Sequence, residues 1–94
     1  MPTKQIKVLV SGRVQGVWYR GWTVQKAVSL NVKGWVKNLA TGQVEGLFFG
    51  EEKDVELLIE ACWQGPEQAQ VNTIEVFTDD SSVDEITSFR QVHG

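Results

Sequence analysis

Acidic residues are absent from the first 44 positions of this chain, which carry seven lysines and arginines. All twelve acidic residues lie from Glu45 onward, where only Lys53 and Arg90 are basic. The net charge of −3 therefore conceals a first half of +7 and a second half of −10. This asymmetry favours an anionic partner for the first half; the alternative is that the two halves neutralise each other across the fold.

Cysteine, histidine and long apolar runs are also scarce. The single cysteine, Cys62, excludes an internal disulfide and gives no sign of an oxidising compartment. No apolar run approaches the roughly 18 residues that span a bilayer, and the polar start lacks the apolar segment of a secretory signal. The first half has no histidine, cysteine and aspartate cluster for a metal. We therefore expect one domain over residues 1–94 that is monomeric and cytoplasmic and needs no membrane, metal or cofactor.

Apolar periodicity predicts five strands and two helices. The clearest element is the second helix, because Val55, Leu58, Ile59 and Cys62 follow the spacing of one helix face. The predicted elements are, in order, a strand at residues 6–10, a helix at 21–30 with Asn31 as a left-handed cap, strands at 34–39 and 43–49 joined by a hairpin loop at 40–42, the second helix from the acidic segment 51–54 to Gly65-Pro66, a strand around 74–76, and a less regular strand at 86–92.

The order β-α-β-β-α-β, with one extra terminal strand, is that of the ferredoxin-like split βαβ fold. We therefore predict an α+β sandwich with an antiparallel sheet and two helices on one face. Because this fold supports many unrelated functions, the function has to be inferred from particular residues.

The segment GRVQGVWYR, residues 12–20, connects the first strand to the first helix. At a helix N-terminus the backbone N–H groups are unpaired, and the helix dipole adds partial positive charge. Gly16 allows the chain to turn so that successive amides converge, as they do in phosphate-binding nests. The loop is therefore a candidate anion site, although its glycines match neither the Walker motif nor G-x-G-x-x-G.

Arg20 is an unusual residue for this position. Acidic or hydroxyl side chains stabilise the first turn of a helix, whereas the dipole disfavours a cation there. One explanation is that Arg20 pairs with a carboxylate from the second half of the chain. The other is that its planar guanidinium binds a phosphate beside the loop amides.

Nothing around this loop is a candidate nucleophile. A thiolate phosphatase would carry cysteine six positions before Arg20, where this chain has Val14. Cys62 is predicted on the apolar face of the second helix, where a buried thiol acts as a small hydrophobe, and His93 is predicted to be solvated. A substrate bound at the loop must therefore have a phosphate bond that breaks easily.

Two longer motifs resemble the signatures of the acylphosphatase family. The first is VSGRVQGVWYR at residues 10–20, and the second is GWVKN at 34–38, followed by Gly42, Val44 and Gly50 at the family's spacing. The resemblance covers essentially the whole chain, including its order of elements. It implies hydrolysis of carboxyl–phosphate mixed anhydrides (acyl phosphates) to a carboxylate and inorganic phosphate.

The resemblance also implies roles for particular residues. Arg20 would bind the phosphate together with the loop amides, and Asn38 would orient the attacking water. The substrate-binding residues implied are Gln15, Gly16, Val17, Trp18, Tyr19 and Arg20. Because a carboxylate is a good leaving group, positioning and electrostatics would supply most of the catalysis. The expected partners are a small acyl phosphate and inorganic phosphate, which is both product and inhibitor.

The chain departs from the family pattern at two neighbouring positions. The family usually has Phe or Met where this chain has Tyr19, whose hydroxyl needs a partner, and the variable residue before it is the bulky Trp18. These departures leave the acyl-group preference open. Thr41 is expected only to shape the hairpin turn. Packing in the core or at its edge is expected for the other tryptophans, Trp22, Trp35 and Trp63.

Two alternative functions remain open. Ferredoxin-like sheets can bind RNA by stacking bases on strand aromatics, and Phe48-Phe49 lie on a predicted strand. Adjacent strand residues face opposite ways, however, so only one of the two can be on the open face. The acidic second half also opposes a nucleic-acid partner, which we do not expect. The other alternative is a non-catalytic anion-binding module, either free or as an accessory domain of a carbamoyl-transfer protein.

Overall fold

The alternating apolar residues near the start of the chain form an interior strand of a five-stranded sheet. This architecture is seen in a computed structural model, which describes residues 2–79 and 87–92. The elements are β1 (Thr3–Arg13), α1 (Tyr19–Ser29), β2 (Lys33–Asn38), β3 (Val44–Glu51), α2 (Glu52–Gln64), β4 (Gln70–Thr78) and β5 (Phe89–Val92). Neither of these helices is long and apolar enough to cross a membrane.

The sheet has the strand order β4-β1-β3-β2-β5, which confirms the predicted split βαβ arrangement. The predicted antiparallel pairing holds for β1 with β3, β1 with β4 and β2 with β3. The extra strand β5 differs, because it pairs with β2 in parallel and makes the sheet mixed. β5 lies at the edge of the sheet opposite β4 and runs in the same direction as β2. Two parallel neighbours cannot be joined by a hairpin, so the chain between β2 and β5 has to cross over.

Most predicted boundaries agree with the structure to within a few residues, and two differences affect the loop. β1 continues to Arg13 through an irregularity between Ser11 and Gly12, typical of a β-bulge. Helix α1 begins at Tyr19, two residues before its predicted start. The predicted left-handed cap at Asn31 is confirmed by its φ of 59°. Ile86 and His93, on which two predictions rested, lie outside the described residues.

The core lies between the sheet and the two helices. Val8, Gly46 and Val36 occupy one row across β1, β3 and β2 and are buried. Helix α2 packs Val55, Leu58 and Cys62 toward this face, all buried. Burial of these side chains confirms the helix-face spacing read from the sequence.

The tryptophans follow the packing prediction only in part. Trp22 is partly buried and packs against the core. Trp35 is half-buried on the other face of the sheet, beside Lys7 and Lys37. Trp63 is 47% exposed, so the expectation that it packs at the core is wrong. Trp63 directly follows Cys62 on α2, and consecutive residues of a helix point in different directions.

A buried hydrogen bond joins the two helices next to the loop. The Tyr19 hydroxyl donates to the backbone carbonyl of Cys62 at 2.7 Å. That carbonyl lies in the last turn of α2. In a continuing helix it would accept from the N–H of the residue four positions later, but that residue is Pro66, which has no N–H. Gly65 packs against the same ring, since a Cβ there would lie 2.9 Å from a Tyr19 ring carbon. Tyr19 therefore completes the C-terminal end of α2.

Burial also determines the chemistry of Cys62. Its pKa is raised to about 12, chiefly by burial, with a smaller opposing effect of the Tyr19 hydroxyl. The thiol is therefore protonated near neutral pH and inaccessible, which agrees with its prediction as a small hydrophobe.

Replacing Tyr19 by Phe should destabilise the fold. Tyr19→Phe keeps the ring but leaves the Cys62 carbonyl buried without its donor, which costs about 1–2 kcal/mol. The urea midpoint of unfolding measures this loss. Ser29→Ala is the control, because it removes an exposed hydroxyl that donates to a helix carbonyl at 2.7 Å. Equal midpoints for the two variants would contradict the role assigned to Tyr19.

Candidate active site

The loop between β1 and α1 has a backbone that alternates in the sign of φ. Gly16 has a φ of 75° and Trp18 a φ of 67°, whereas Gln15 and Val17 are not among the positive-φ residues. This alternation turns successive amides toward one point, which is the backbone geometry of nests that bind anions. The sequence predicted the turn at Gly16. It gave no signal for Trp18, because large side chains rarely adopt this conformation.

The same amides are available to a ligand. No backbone hydrogen bond within residues 2–79 and 87–92 uses the N–H groups from Gln15 to Gly21. Trp18, the N-cap residue of helix α1, makes no side-chain capping hydrogen bond, and the first turn of the helix contains no acidic residue. The unpaired N–H groups and the helix dipole therefore give the loop a partial positive charge.

Arg20 lies in the first turn of α1, on the same loop. Its Nη1 donates to the backbone carbonyl of Val92 on β5 at 3.1 Å. The ion pairs found in the described part of the chain join Lys4 to Glu56 and Lys37 to Glu45, so no described carboxylate pairs with Arg20. The carbonyl orients the guanidinium without neutralising it, and within residues 2–79 and 87–92 this is the one hydrogen bond found for its five donors.

Gln15 connects the loop to the β2–β3 hairpin. Its side-chain nitrogen donates to the backbone carbonyls of Leu39 and Gln43, each at 2.9 Å. The hairpin is closed by two further bonds, from the Leu39 amide to Gln43 and from the Gly42 amide to Leu39. Both N–H groups of the Gln15 side chain are therefore already hydrogen-bonded within the protein, and only the backbone N–H of Gln15 can bind a ligand.

Asn38 is the last residue of β2 and faces the loop from the hairpin side. Its register partner is Val44, whose side chain is buried on the helix-covered face of the sheet. The side-chain oxygen Oδ1 is buried and has no hydrogen-bond donor among the described residues. Buried polar atoms are normally hydrogen-bonded, so this oxygen is available to accept a hydrogen bond from a bound molecule.

These groups surround one cavity of about 190 Å³. It is lined by Arg20, Asn38, Gln91 and most of the loop, and by no acidic residue of the described chain. Val17 is the one predicted substrate-binding residue that does not line it, and its side chain is buried in the core. The cavity can hold a small anion between converging amides, a guanidinium and a carboxamide.

Strand β5 supplies two contributions that sequence reasoning missed. Gln91 lines the cavity and Val92 orients Arg20. The four-residue strand contains apolar residues at positions 89 and 92, which cannot share a face. Its partner strand could not be deduced from this pattern, so no signal connected it with the loop.

Two further predictions concern groups outside this cavity. Thr41 is exposed and exchanges hydrogen bonds with Gln43, which agrees with a role in shaping the turn. Over the described residues, no three histidine, cysteine or acidic side chains come together in a way that could hold a metal ion.

Comparison with known proteins identifies the family. The acylphosphatase family model matches residues 6–91. An acylphosphatase from Rhodospirillum rubrum is 52% identical over 73 residues, covering 78% of this chain and 80% of that protein. One from Nitrosococcus oceani is 45% identical over 84 residues, covering 89% and 92%. The structure of an acylphosphatase from Coxiella burnetii superposes with a TM-score of 0.86 and 39% identity, covering 96% of this chain and 93% of that one. The chain therefore belongs to the acylphosphatase family, enzymes that hydrolyse acyl phosphates.

Proposed function

We propose that the cavity between the loop and Asn38 is where this chain hydrolyses acyl phosphates. The observation that carries the proposal is that, among the described residues, the unpaired loop amides, an Arg20 without a carboxylate partner and the Asn38 Oδ1 without a donor lie at one cavity that no acidic residue lines. The phosphoryl group binds to the amides and to Arg20, which can contact two of its oxygens at once. Asn38 holds a water molecule against the phosphorus.

The reaction needs no further group from the protein. The water oxygen forms a bond to phosphorus while the bond from phosphorus to the carboxylate oxygen breaks, and that oxygen leaves with the electron pair as a carboxylate. The water proton passes to a phosphate oxygen. Because the transition state is loose and its charge lies on the phosphoryl oxygens, positioning and preorganised donors provide the catalysis.

A nucleic-acid partner is less well supported. Phe48 is buried, so only Phe49 of this pair can lie on the open face of the sheet. Trp35 on that face is approached by Lys7 and Lys37, whose Nζ atoms lie 6.0 and 5.3 Å from the ring centroid. Lys37 also pairs with Glu45 at 3.4 Å. The two lysines therefore cover the Trp35 ring on which a base would stack, and Glu45 neutralises one of the cations that would bind its phosphate.

The enzyme is further proposed to act as a cytoplasmic monomer without a metal, a membrane or a cofactor. A free buried thiol suits a reducing compartment, and every group assigned to the reaction comes from one chain. A single molecular mass in light scattering, equal to that of one chain, would support the monomer.

Independence from metals is tested with a chelator. Turnover of acetyl phosphate should be the same with and without EDTA. The guanidinium and the amides stabilise the negative charge of the phosphoryl group, which is what a metal would otherwise do. Inorganic phosphate should inhibit competitively. Activity lost to EDTA and restored by a divalent cation would contradict this part of the proposal.

Replacing Arg20 should slow the reaction strongly. Arg20→Gln should lower kcat/KM for acetyl phosphate by roughly 10²–10⁴-fold, because about 3–5 kcal/mol of transition-state stabilisation is lost. Arg13→Gln is the matched control, since Arg13 is exposed at the end of β1 and does not line the cavity. Steady-state kinetics of both variants measure the effect. The assignment of Arg20 would be wrong if the two variants were equally active.

Replacing Asn38 should separate turnover from phosphate binding. Asn38→Ala should lower kcat about 10²-fold, because the water is no longer held in position, while the inhibition constant of inorganic phosphate changes little. Thr41→Ala, on the same hairpin but away from the cavity, should behave as the wild type. Loss of phosphate inhibition in parallel with turnover would show that Asn38 binds phosphate instead.

A further inference from the structure

A second, larger cavity adjoins the phosphate cavity and has no role in the mechanism above. This groove has a volume of about 570 Å³, against 190 Å³ for the phosphate cavity. One side of it is formed by residues 16–18 and Trp22, and the other by residues 65–68, which follow α2. It is large enough for an organic group of the size of a benzene ring or more.

The groove and the phosphate cavity lie side by side and share two lining residues. Gly16 and Trp18 line both, whereas Asn38 lines only the phosphate cavity and residues 65–68 line only the groove. The loop at residues 16–18 therefore separates Asn38 from the groove. In-line displacement places the attacking water and the leaving carboxylate on opposite sides of the phosphorus. With water on the Asn38 side, the acyl group points toward the groove.

Both walls of the groove are fixed by contacts within the protein. The Gly65 amide donates to the Ala61 carbonyl and the Ala69 amide to the Pro66 carbonyl, each at 3.0 Å. On the opposite wall the Trp18 ring lies over Gly21, where a Cβ would collide with the indole nitrogen. Trp22 packs against the core and against the Tyr19 ring, with the ring centroids 5.8 Å apart. Rigid walls lower the entropy cost of binding.

The chemistry of the walls indicates the kind of group they accept. Trp18, Trp22 and Pro66 present apolar surface, and Trp18 is 58% exposed in spite of its size. Among the described residues that line the groove, Glu67 is the only one with an ionisable side chain, and it is exposed. A neutral aromatic acyl group would bury Trp18 surface and stack on it, whereas a second carboxylate would be repelled by Glu67.

We propose that this groove binds the acyl group of the substrate and selects neutral aromatic acyl phosphates over small or anionic ones. Trp18 is its central contact, because its ring borders both the phosphate and the acyl group. The proposal rests on the proposed function, since it places the acyl group relative to a phosphoryl group held by the loop.

The test compares three substrates, each with kcat/KM divided by its own uncatalysed hydrolysis rate. Benzoyl phosphate should exceed acetyl phosphate, and succinyl phosphate, whose acyl group is anionic, should be the poorest. Trp18→Ala should lower the benzoyl-to-acetyl ratio about tenfold, with the loss in KM. This ratio measures the effect of the acyl group alone, because both substrates share the phosphoryl chemistry.

The role of Glu67 is tested with the anionic substrate. Glu67→Lys should raise the succinyl-to-acetyl ratio several-fold, because the repelling carboxylate is replaced by a cation.

Trp63→Ala is the matched control. Trp63 is also an exposed tryptophan but lines neither cavity, so this variant should keep the wild-type ratios and the wild-type rate on acetyl phosphate. The proposal is overturned if wild type shows no preference for benzoyl phosphate, or if Trp18→Ala and Trp63→Ala have the same ratio.

A binding experiment separates this proposal from the proposed function. Titration of the wild type with benzoate in the presence of inorganic phosphate should shift the NMR signals of the Trp18 and Trp22 indole N–H groups, and leave those of Trp35 and Trp63 in place. Normal turnover of acetyl phosphate without these shifts would overturn the groove alone. Absence of any turnover would overturn the proposed function, and the benzoate titration would then still decide whether the groove binds an aromatic carboxylate.

Discussion

The two hydrogen bonds from the Gln15 side chain fix the spacing on which the site depends. They tie the loop proposed to bind the phosphoryl group to the Leu39 and Gln43 carbonyls of the hairpin that carries Asn38. Both carbonyls also accept bonds that close the hairpin, so the loop is attached to an element that is already rigid. A carboxamide suits this position because one nitrogen supplies two donors without a charge. Glutamate would be repelled by both carbonyls, and lysine would place a second cation beside Arg20.

An anion site built from backbone amides makes the protein locally less stable. Helix α1 has no side-chain cap, and capping typically contributes about 1 kcal/mol. Trp18 adopts a left-handed φ of 67°, and strain of this kind costs of order 1–3 kcal/mol. A carboxylate at the start of α1 would stabilise the helix but would neutralise the amides. The side chains of Val14, Val17 and Tyr19 are buried in the core and hold the loop in place against these costs.

The sequence predicted the elements whose signal is local. Helix-face spacing located α2, and the left-handed conformation of Asn31 and the turn at Gly16 followed from residue type. The anion loop and Arg20 could be proposed from the helix dipole, whereas Asn38 depended on the family resemblance. Three features could not be predicted from the sequence, because each depends on residues that are far apart in the chain. These are the parallel pairing of β5, the cavity-lining Gln91, and the bond from Tyr19 to a carbonyl that Pro66 leaves without a donor.

The two departures from the family pattern, Trp18 and Tyr19, are neighbours in sequence but act in different parts of the molecule. Tyr19 is 2% exposed, and its hydroxyl is bound to the Cys62 carbonyl, so it cannot contact an acyl group. Trp18 points the other way and is 58% exposed between the two cavities. The left-handed conformation of Trp18 turns its side chain outward and returns the chain to the core at Tyr19. Of these two departures, only Trp18 borders the groove proposed for the acyl group, whereas Tyr19 affects the stability of the loop on which Trp18 is carried.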